Sequence, residues 1–166
     1  MSEFRLRPLH VKDAVRMLEW LHDDETTRFL ALDGKSLTLE DTLSYIRNAQ
    51  DETVNLHRAV VSEDDVYLGT VSLKNIDLAD KQAEYAISMH PSAVGSGAAK
   101  AASLLIAQVA FIELGLKRVY LNVLRVNQRA VRFYDKLGYR YTHSSSIFFD
   151  GKDIELMWYE IDNPTP

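Results

Sequence analysis

The spacing of apolar residues in the first third of the chain predicts a short strand followed by two helices. Alternation over residues 4–9 indicates the strand, and apolar positions recur at helical spacing from residue 11 to residue 21. Thr38, with the acid Asp41 three residues later, has the pattern of a helix N-cap. We expect a second helix to begin there and to continue through Leu39, Leu43 and Ile46.

The rest of the chain alternates between strand and helix patterns. β-Branched and apolar runs predict strands, whereas an Ala-rich segment and the segment after Asn127 are helical in spacing. Gly115 and Gly138 stand where helix C-caps are expected. In chain order the predicted elements are a hairpin of 56–61 and 66–75, a strand 83–89, a helix 98–114, a strand 118–124, a helix 127–137, and a hairpin of 139–149 and 154–161 around Asp150-Gly151.

The element order β α α β β β α β α β β combines antiparallel hairpins with two β-α-β units. It predicts an α+β fold in which helices flank a mixed, mainly antiparallel central sheet, and it excludes doubly wound and all-β architectures. No repeat or linker interrupts the pattern. We therefore expect a single domain over residues 1–162, followed by a frayed tail at 163–166.

The composition narrows the chemistry. The chain has 166 residues, of which 46% are hydrophobic, 26% are charged and none is cysteine. Disulfide scaffolds, cysteine-based zinc sites and thiol nucleophiles are therefore excluded, and five scattered histidines without ligand spacing predict no metal. No apolar stretch reaches the roughly 18 to 20 residues that cross a bilayer, and no signal peptide is visible, which predicts a cytoplasmic protein without a membrane partner.

Charge is distributed unevenly along the chain. The net charge of −5 argues against a nucleic-acid partner, but residues 1–80 hold 9 Lys and Arg against 16 Asp and Glu, whereas residues 81–166 hold 10 against 8. Residues 117–140 contain seven basic residues and one acid, Asp135. The division suggests one anionic and one cationic partner, although solvated faces produce such divisions as well.

The segment Val94-Gly95-Ser96-Gly97-Ala98-Ala99 lies between a predicted strand and a predicted helix. Small residues let a ligand approach the backbone, and free N–H groups together with the helix dipole favour an anion such as pyrophosphate. A tight turn that needs glycine for positive φ explains the same residues. The segment lacks the third glycine of a dinucleotide fingerprint, where Lys100 stands, and the Gly-Lys-Ser/Thr of a P-loop.

The segment from Asn127 to Tyr139 is the second candidate for function. Ala130, Tyr134 and Leu137 fall on one helical face, and Asn127 stands at the head of that face. Taken alone, Tyr134 is equally well explained as a core residue whose hydroxyl reaches the rim.

Together the two segments resemble the GNAT superfamily of acetyl-CoA-dependent N-acetyltransferases, over nearly the whole chain. The family's Arg/Gln-x-x-Gly-x-Gly/Ala motif corresponds to residues 94–99, with Val94 in the place of Arg or Gln. Its Asn-x-x-Ala-x-x-x-Tyr-x-x-x-Gly-Phe/Tyr motif corresponds completely to residues 127–139. Residues 20–29 and 148–153 resemble the branch that contains ribosomal-protein N-terminal and spermidine acetyltransferases.

The resemblance implies that strands 83–89 and 118–124 splay apart and that the pantetheine arm fills the gap like an additional strand. Its amides would pair with Ile87 and Met89, and the Met89 N–H would polarise the thioester carbonyl. The backbone N–H groups of residues 95–99 would hold the pyrophosphate. The implied cofactor contacts are Ile87, Ser88, Met89, Val94, Gly95, Ser96, Gly97, Ala98, Ala99, Asn127, Ala130, Phe133 and Tyr134.

Acetyl transfer to an amine also needs a proton donor for the thiolate and a base for the ammonium. A phenol with an ordinary pKa of ~10 suits Tyr134 as the general acid, because a CoA thiol has a pKa within about two units of it. Glu84 resembles the glutamate that several family members use as the base, although a surface carboxylate explains it as well. Asp23, Asp24 and Glu25 are candidates for attracting a cationic acceptor, or else a solvated run of acids.

The expected activity is acetyl-CoA-dependent acetylation of a primary amine by direct attack in a ternary complex. The acceptor classes are a polyamine, an amino sugar or a protein N-terminus. Two alternatives stay open at this point: a non-catalytic CoA-binding regulatory module of the same fold, and a protein-interaction domain with a fortuitous glycine turn. Exposed strand edges make a homodimer possible.

Overall fold

The computed structural model describes residues 3–30, 32–149 and 151–164. Its strands are β1 (Phe4–Arg7), β2 (Leu56–Ser62), β3 (Tyr67–Asp77), β4 (Gln82–Met89), β5 (Arg118–Leu124), β6 (Arg140–Phe149) and β7 (Lys152–Asp162). Its α-helices are α1 (Ala14–Leu21), α2 (Asp24–Thr27), α3 (Leu39–Asn48), α4 (Ala98–Gln108) and α5 (Gln128–Lys136).

The described strands form one sheet in the order β1-β2-β3-β4-β5-β7-β6. Each neighbouring pair is antiparallel except β4 and β5, which are parallel. The predicted α+β fold with a mixed, mainly antiparallel sheet is therefore confirmed. Within the described residues, no helix is both long and apolar enough to cross a bilayer.

Helices cover the two faces of the sheet unequally. Helices α4 and α5 pack on one face, over a core that includes Val71, Tyr85 and Leu121. Helices α1 and α3 pack on the other face, over Ala59 and Tyr67 near the β1 edge. Helices α1 and α3 lie only over β1 to β3. On that face of the sheet, β4, β5 and β7 are not covered by any helix of the described residues and carry polar and aromatic side chains, such as Gln82, Tyr120 and Trp158.

The helix N-caps that the sequence predicted at Thr38 and Asn127 are present. The Thr38 hydroxyl accepts the Asp41 N–H at 3.2 Å, and the Asp41 carboxylate accepts the Thr38 N–H at 2.8 Å. The Asn127 side chain accepts the Ala130 N–H at 3.3 Å at the start of α5. These local hydrogen bonds explain why the starts of α3 and α5 were predictable from a few adjacent residues.

Several predicted boundaries were wrong. The segment 11–21 begins as a 3-10 turn and becomes α-helical only at Ala14, with Val11 and Val15 exposed. Helix 98–114 is α-helical to Gln108 and then widens into a π-turn at Val109–Glu113. The one-turn helix α2 was not predicted. The tail is held one residue further than expected, because the Asn163 side chain donates to the Leu116 carbonyl at 3.0 Å.

Candidate active site

Strands β4 and β5 separate after a short stretch of pairing. Gln82–Glu84 pairs in parallel with Arg118–Tyr120. Beyond these residues, within the part of the chain that the structure describes, β4 pairs only with β3 and β5 only with β7. The result is a wedge-shaped gap that widens toward Met89 and Leu124, as the sequence analysis expected.

The backbone of β4 presents hydrogen-bonding groups to this wedge. The His90 N–H donates to the Leu68 carbonyl of β3 at 2.7 Å. Successive residues of a strand direct their backbone groups to opposite edges, so the N–H and C=O groups of Ile87 and Met89 face the wedge. The backbone of Ser88 faces β3, where Ser88 is paired with Thr70.

The glycine turn at the end of β4 also supplies donors, but fewer than expected. Gly95 and Gly97 have positive φ values of 79° and 87°, and Gly97 caps α4. The Ser96 N–H donates to a carbonyl within the turn, and the Ser96 hydroxyl accepts the Ala98 N–H. Among the described residues, no acceptor faces the N–H groups of Gly95, Gly97 and Ala99, so three of the five predicted donors remain available.

Tyr134 lies on the helix-covered face beside the wedge. It is 8% exposed, and its ring centroid is 5.8 Å from that of Tyr85 on β4 and 5.8 Å from that of Tyr139. The Tyr85 hydroxyl donates to Ser103 of α4 at 2.6 Å, since the Ser103 hydroxyl itself donates to the Ala99 carbonyl. Packing from β4, α4 and α5 therefore holds the Tyr134 ring in place.

Burial changes the acidity of Tyr134. It raises the pKa of Tyr134 to about 12. Burial raises the pKa of Tyr85 and of Tyr139 as well. A phenol with an ordinary pKa of ~10 would transfer its proton to a CoA thiolate on nearly level terms. In this structure the phenol holds its proton more firmly and is better suited to donating a hydrogen bond than to early proton release.

Glu84 lies on the opposite face of the sheet from Tyr134. It precedes Tyr85 in β4, and neighbouring side chains of a strand point to opposite faces. Its side chain is 19% exposed, and its carboxylate lies 3.7 Å from the Lys74 ammonium. Tyr120 on β5 is the pairing partner of Glu84. Burial, and to a smaller extent the negative charge of Glu84, raises the pKa of Tyr120. The Tyr134 phenol and the Glu84 carboxylate therefore lie on opposite faces of the sheet, and Glu84 stands at the closed end of the wedge.

Comparison with known proteins decides the family. Residues 3–140 match the family model described as the acetyltransferase (GNAT) domain. The chain belongs to the GNAT acetyltransferases. The wedge, the glycine turn and the segment from Asn127 to Tyr139 are therefore features of a GNAT transferase, as their resemblance to that superfamily indicated.

Two kinds of relative support this GNAT assignment. Spermidine N(1)-acetyltransferase of Escherichia coli (strain K12) is 28% identical over 135 residues, covering 81% of this chain and 72% of the relative. The Vibrio cholerae spermidine N-acetyltransferase in complex with CoA and spermine has a TM-score of 0.87 at 18% identity, over 96% of this chain and 95% of that chain. A Bacillus anthracis GNAT-family acetyltransferase has a TM-score of 0.85 at 18% identity, over 98% and 97% of the two chains. At these identities the structural likeness shows the fold.

The basic stretch of this GNAT protein is partly neutralised. Arg118, Arg125 and Arg140 form ion pairs with carboxylates of β7. Val94, exposed at the start of the glycine turn, offers no polar group. Within the described residues, three exposed basic side chains of α5 pair with no carboxylate and are free to meet an anion, namely Arg129, Arg132 and Lys136.

The acids predicted to attract the acceptor have local partners. The Asp23 carboxylate accepts the Thr26 N–H at 3.0 Å and caps α2, which gives it a structural role. Asp24 pairs with Lys35 at 2.9 Å, and Glu25 lies 3.6 Å from Arg28. Asp24 and Glu25 are highly exposed, so their partners do not remove them from solvent. Among the described residues, no three His, Asp or Glu side chains come together as a metal site.

Sequence reasoning missed Gly69, which shapes the open end of the wedge. Gly69 is paired with Met89, and a Cβ built on it would lie 2.6 Å from the Ser88 carbonyl oxygen and 2.5 Å from the Met89 sulfur. Only glycine therefore lets the end of β4 approach β3 this closely. A glycine inside a strand pattern was the available signal, because it marks close approach of another backbone.

Proposed function

We propose that this GNAT protein transfers the acetyl group of acetyl-CoA to a primary amine by direct attack in a ternary complex. The observation that carries the proposal is the wedge between β4 and β5. Its edge offers the backbone of Ile87 and Met89. Tyr134 packs against β4 on one face of the sheet, and Glu84 lies on the other face at the closed end of the wedge.

The wedge and the turn fit the two parts of the donor substrate. Neighbouring strands lie ~4.8 Å apart, so an extended, amide-bearing pantetheine arm can occupy the place of a strand and pair with Ile87 and Met89. The N–H groups of Gly95, Gly97 and Ala99 and the positive end of the α4 dipole favour the pyrophosphate. The unpaired basic residues of α5 then suit the remaining phosphate of CoA.

The chain's own groups then serve the transfer. Acetyl-CoA supplies the activated acetyl group. The Met89 N–H donates to the carbonyl oxygen, and one such donor typically contributes about 3 kcal/mol to the transition state. The amine nitrogen bonds to the carbonyl carbon as the C–S bond breaks, and the Tyr134 hydroxyl donates a hydrogen bond to the departing sulfur. The nitrogen then loses its second proton to that thiolate, which gives the amide and the CoA thiol. Glu84, five residues before Met89 on β4, accepts the first proton that the ammonium loses, through a chain of water molecules.

The positions of Tyr134 and Glu84 favour direct transfer over a covalent acyl-enzyme. They lie on opposite faces of the sheet, so the amine can attack the carbonyl carbon from one side while the sulfur leaves on the other. The chain contains no cysteine that could carry the acetyl group as a thioester. These two features favour a ternary complex in which both substrates are bound at once.

Similarity favours a polyamine as the first acceptor to test. The curated relative at 28% identity is a spermidine acetyltransferase. The exposed acids Asp24 and Glu25 support a cationic acceptor. Because the Lys74 ammonium beside Glu84 repels positive charge, we expect the acceptor to present a single amine at the reaction centre. Amino sugars and peptide N-termini are the other two classes.

The test is thiol release from acetyl-CoA with spermidine, an amino sugar and a short peptide, with mass spectrometry of the products. We expect amine-dependent CoA release and one acetyl group added per CoA released. Binding of CoA without acetylation of any acceptor would favour the regulatory module, an alternative supported by the apolar Val94 in the turn. Absence of both binding and turnover would overturn the proposal.

A further inference from the structure

His90 occupies a central position in the donor site without a role in the proposed chemistry. It follows Met89 directly and precedes the 3-10 turn Pro91–Ala93, which leads into the glycine turn. Its backbone N–H bonds to Leu68, and its side chain is only 10% exposed. Any displacement of His90 therefore moves both the Met89 amide and the start of the glycine turn.

The hydrogen bonds of the His90 ring define its tautomer. The Ser92 N–H donates to Nδ1 at 3.1 Å, and the Ser92 hydroxyl lies 2.8 Å from the same atom. Because a backbone N–H can only donate, Nδ1 carries no proton. The ring proton is then on Nε2, which donates to the Glu19 carboxylate at 2.7 Å.

Helix α1 holds this turn at a second point. Arg16, one helical turn before Glu19, donates to the Ser92 hydroxyl at 2.9 Å and to the Tyr67 carbonyl at 2.7 Å. Glu19 and Arg16 are the charged groups of α1 that face His90 and Ser92, and β3 contributes only carbonyl groups there. The end of β4 is thus tied to α1 by a carboxylate–imidazole pair and a guanidinium.

We propose that Glu19 and His90 form a positioning dyad that holds the Met89 amide and the glycine turn ready for acetyl-CoA. The inference rests on the proposed binding of acetyl-CoA at this turn. Neither residue is assigned a proton transfer to a substrate.

The first test compares Glu19→Ala with Glu19→Gln in the full chain, and uses Glu63→Ala, an exposed loop glutamate, as the matched control. We expect Glu19→Ala to raise the Kd for CoA and the KM for acetyl-CoA by about five- to tenfold, with the KM for the amine within twofold. Glu19→Gln keeps an oxygen that accepts the Nε2 proton, so it should recover most of the affinity.

The second test uses His90→Asn, whose side-chain oxygen can still accept the Ser92 N–H but cannot reach Glu19 or gain a proton. We expect its Kd for CoA to match that of Glu19→Ala, and the double variant to be little worse, because both changes remove the same contact.

The outcomes separate positioning from general destabilisation. Three results would overturn the dyad. The first is an equal rise of the KM for acetyl-CoA and the KM for the amine in Glu19→Ala, and the second is a Glu19→Gln variant as impaired as Glu19→Ala. The third is a Kd for CoA that stays within twofold of wild type in Glu19→Ala. Calorimetric affinity for CoA does not require turnover. The dyad can therefore fail while amine acetylation stands, and absence of amine acetylation leaves the CoA measurement readable.

Discussion

Replacing Tyr134 with phenylalanine removes the proposed hydrogen-bond donor while keeping the ring. Tyr134 is 8% exposed and packs against Tyr85 and Tyr139 at 5.8 Å, contacts that a phenylalanine ring preserves. Loss of one preorganised donor to a developing charge typically lowers kcat by about 10²- to 10³-fold, or roughly 3 to 4 kcal/mol. We expect a fall of that size for Tyr134→Phe at saturating acetyl-CoA.

The same substitution should change stability much less. It removes one buried hydroxyl and leaves the ring contacts in place, and the loss of one hydrogen-bonding group typically costs about 0.5 to 1.5 kcal/mol. At this chain length each kcal/mol shifts the Tm by about 2 to 4 °C, so the Tm should fall by less than about 6 °C. The expected loss of transition-state stabilisation is thus larger than the expected loss of folding free energy, so a fall in kcat cannot be explained by unfolding.

The matched control is Tyr139→Phe, which removes a hydroxyl from the same aromatic cluster without touching the proposed donor. The assay is thiol release at saturating acetyl-CoA and amine, alongside a thermal melt. A Tyr134→Phe variant with more than a third of the wild-type kcat, or a Tyr139→Phe variant equally impaired, would refute the reasoning.

Three further predictions follow from the site. Gly69→Ala should lower kcat/KM for acetyl-CoA at least tenfold and lower the Tm, because the new Cβ would displace the Ser88 carbonyl and Met89. Unchanged kinetics would contradict the close approach of β3 and β4 at Gly69. Glu84→Gln should lower kcat/KM for the amine by about 10²-fold at pH 7 and less at pH 10, where more of the amine is already neutral; a loss independent of pH would exclude a base. Burial raises the pKa of Tyr85, Tyr134 and Tyr139, so the stability that comes from their neutral forms is complete below pH ~10 and declines as pH rises above it. A 295 nm titration in which all eight tyrosines ionise before unfolding would disprove that burial.

The segments that the sequence predicted well are those whose structure is set by nearby residues. Strand β5 has the predicted bounds, and Asn127 caps α5 through a residue three positions away. The predicted strand 83–89 differs from β4 (Gln82–Met89) by one residue. For these features the interacting groups are adjacent in the sequence, so a local pattern contains the information.

The missed features depend on contacts between distant segments. The Glu19–His90 bond joins residues 71 positions apart, and the role of Gly69 appears only when β3 and β4 are in register. Val11 and Val15 fit an apolar helical face, yet they are exposed because the sheet is met by the other side of α1. The raised pKa of Tyr134 likewise follows from burial by three separate elements. No local pattern reports such burial.

The central claim is that the wedge-facing amides of β4 bind acetyl-CoA, and residue-resolved hydrogen exchange tests it most directly. In the free protein the Ile87 and Met89 amides should exchange quickly, while those of Ser88 and His90, bonded to β3, should exchange slowly. Adding saturating CoA should slow Ile87 and Met89 by at least tenfold and leave Ser88 and His90 nearly unchanged. If CoA binds but leaves the Ile87 and Met89 amides exchanging at their free rates, the account of the wedge is wrong.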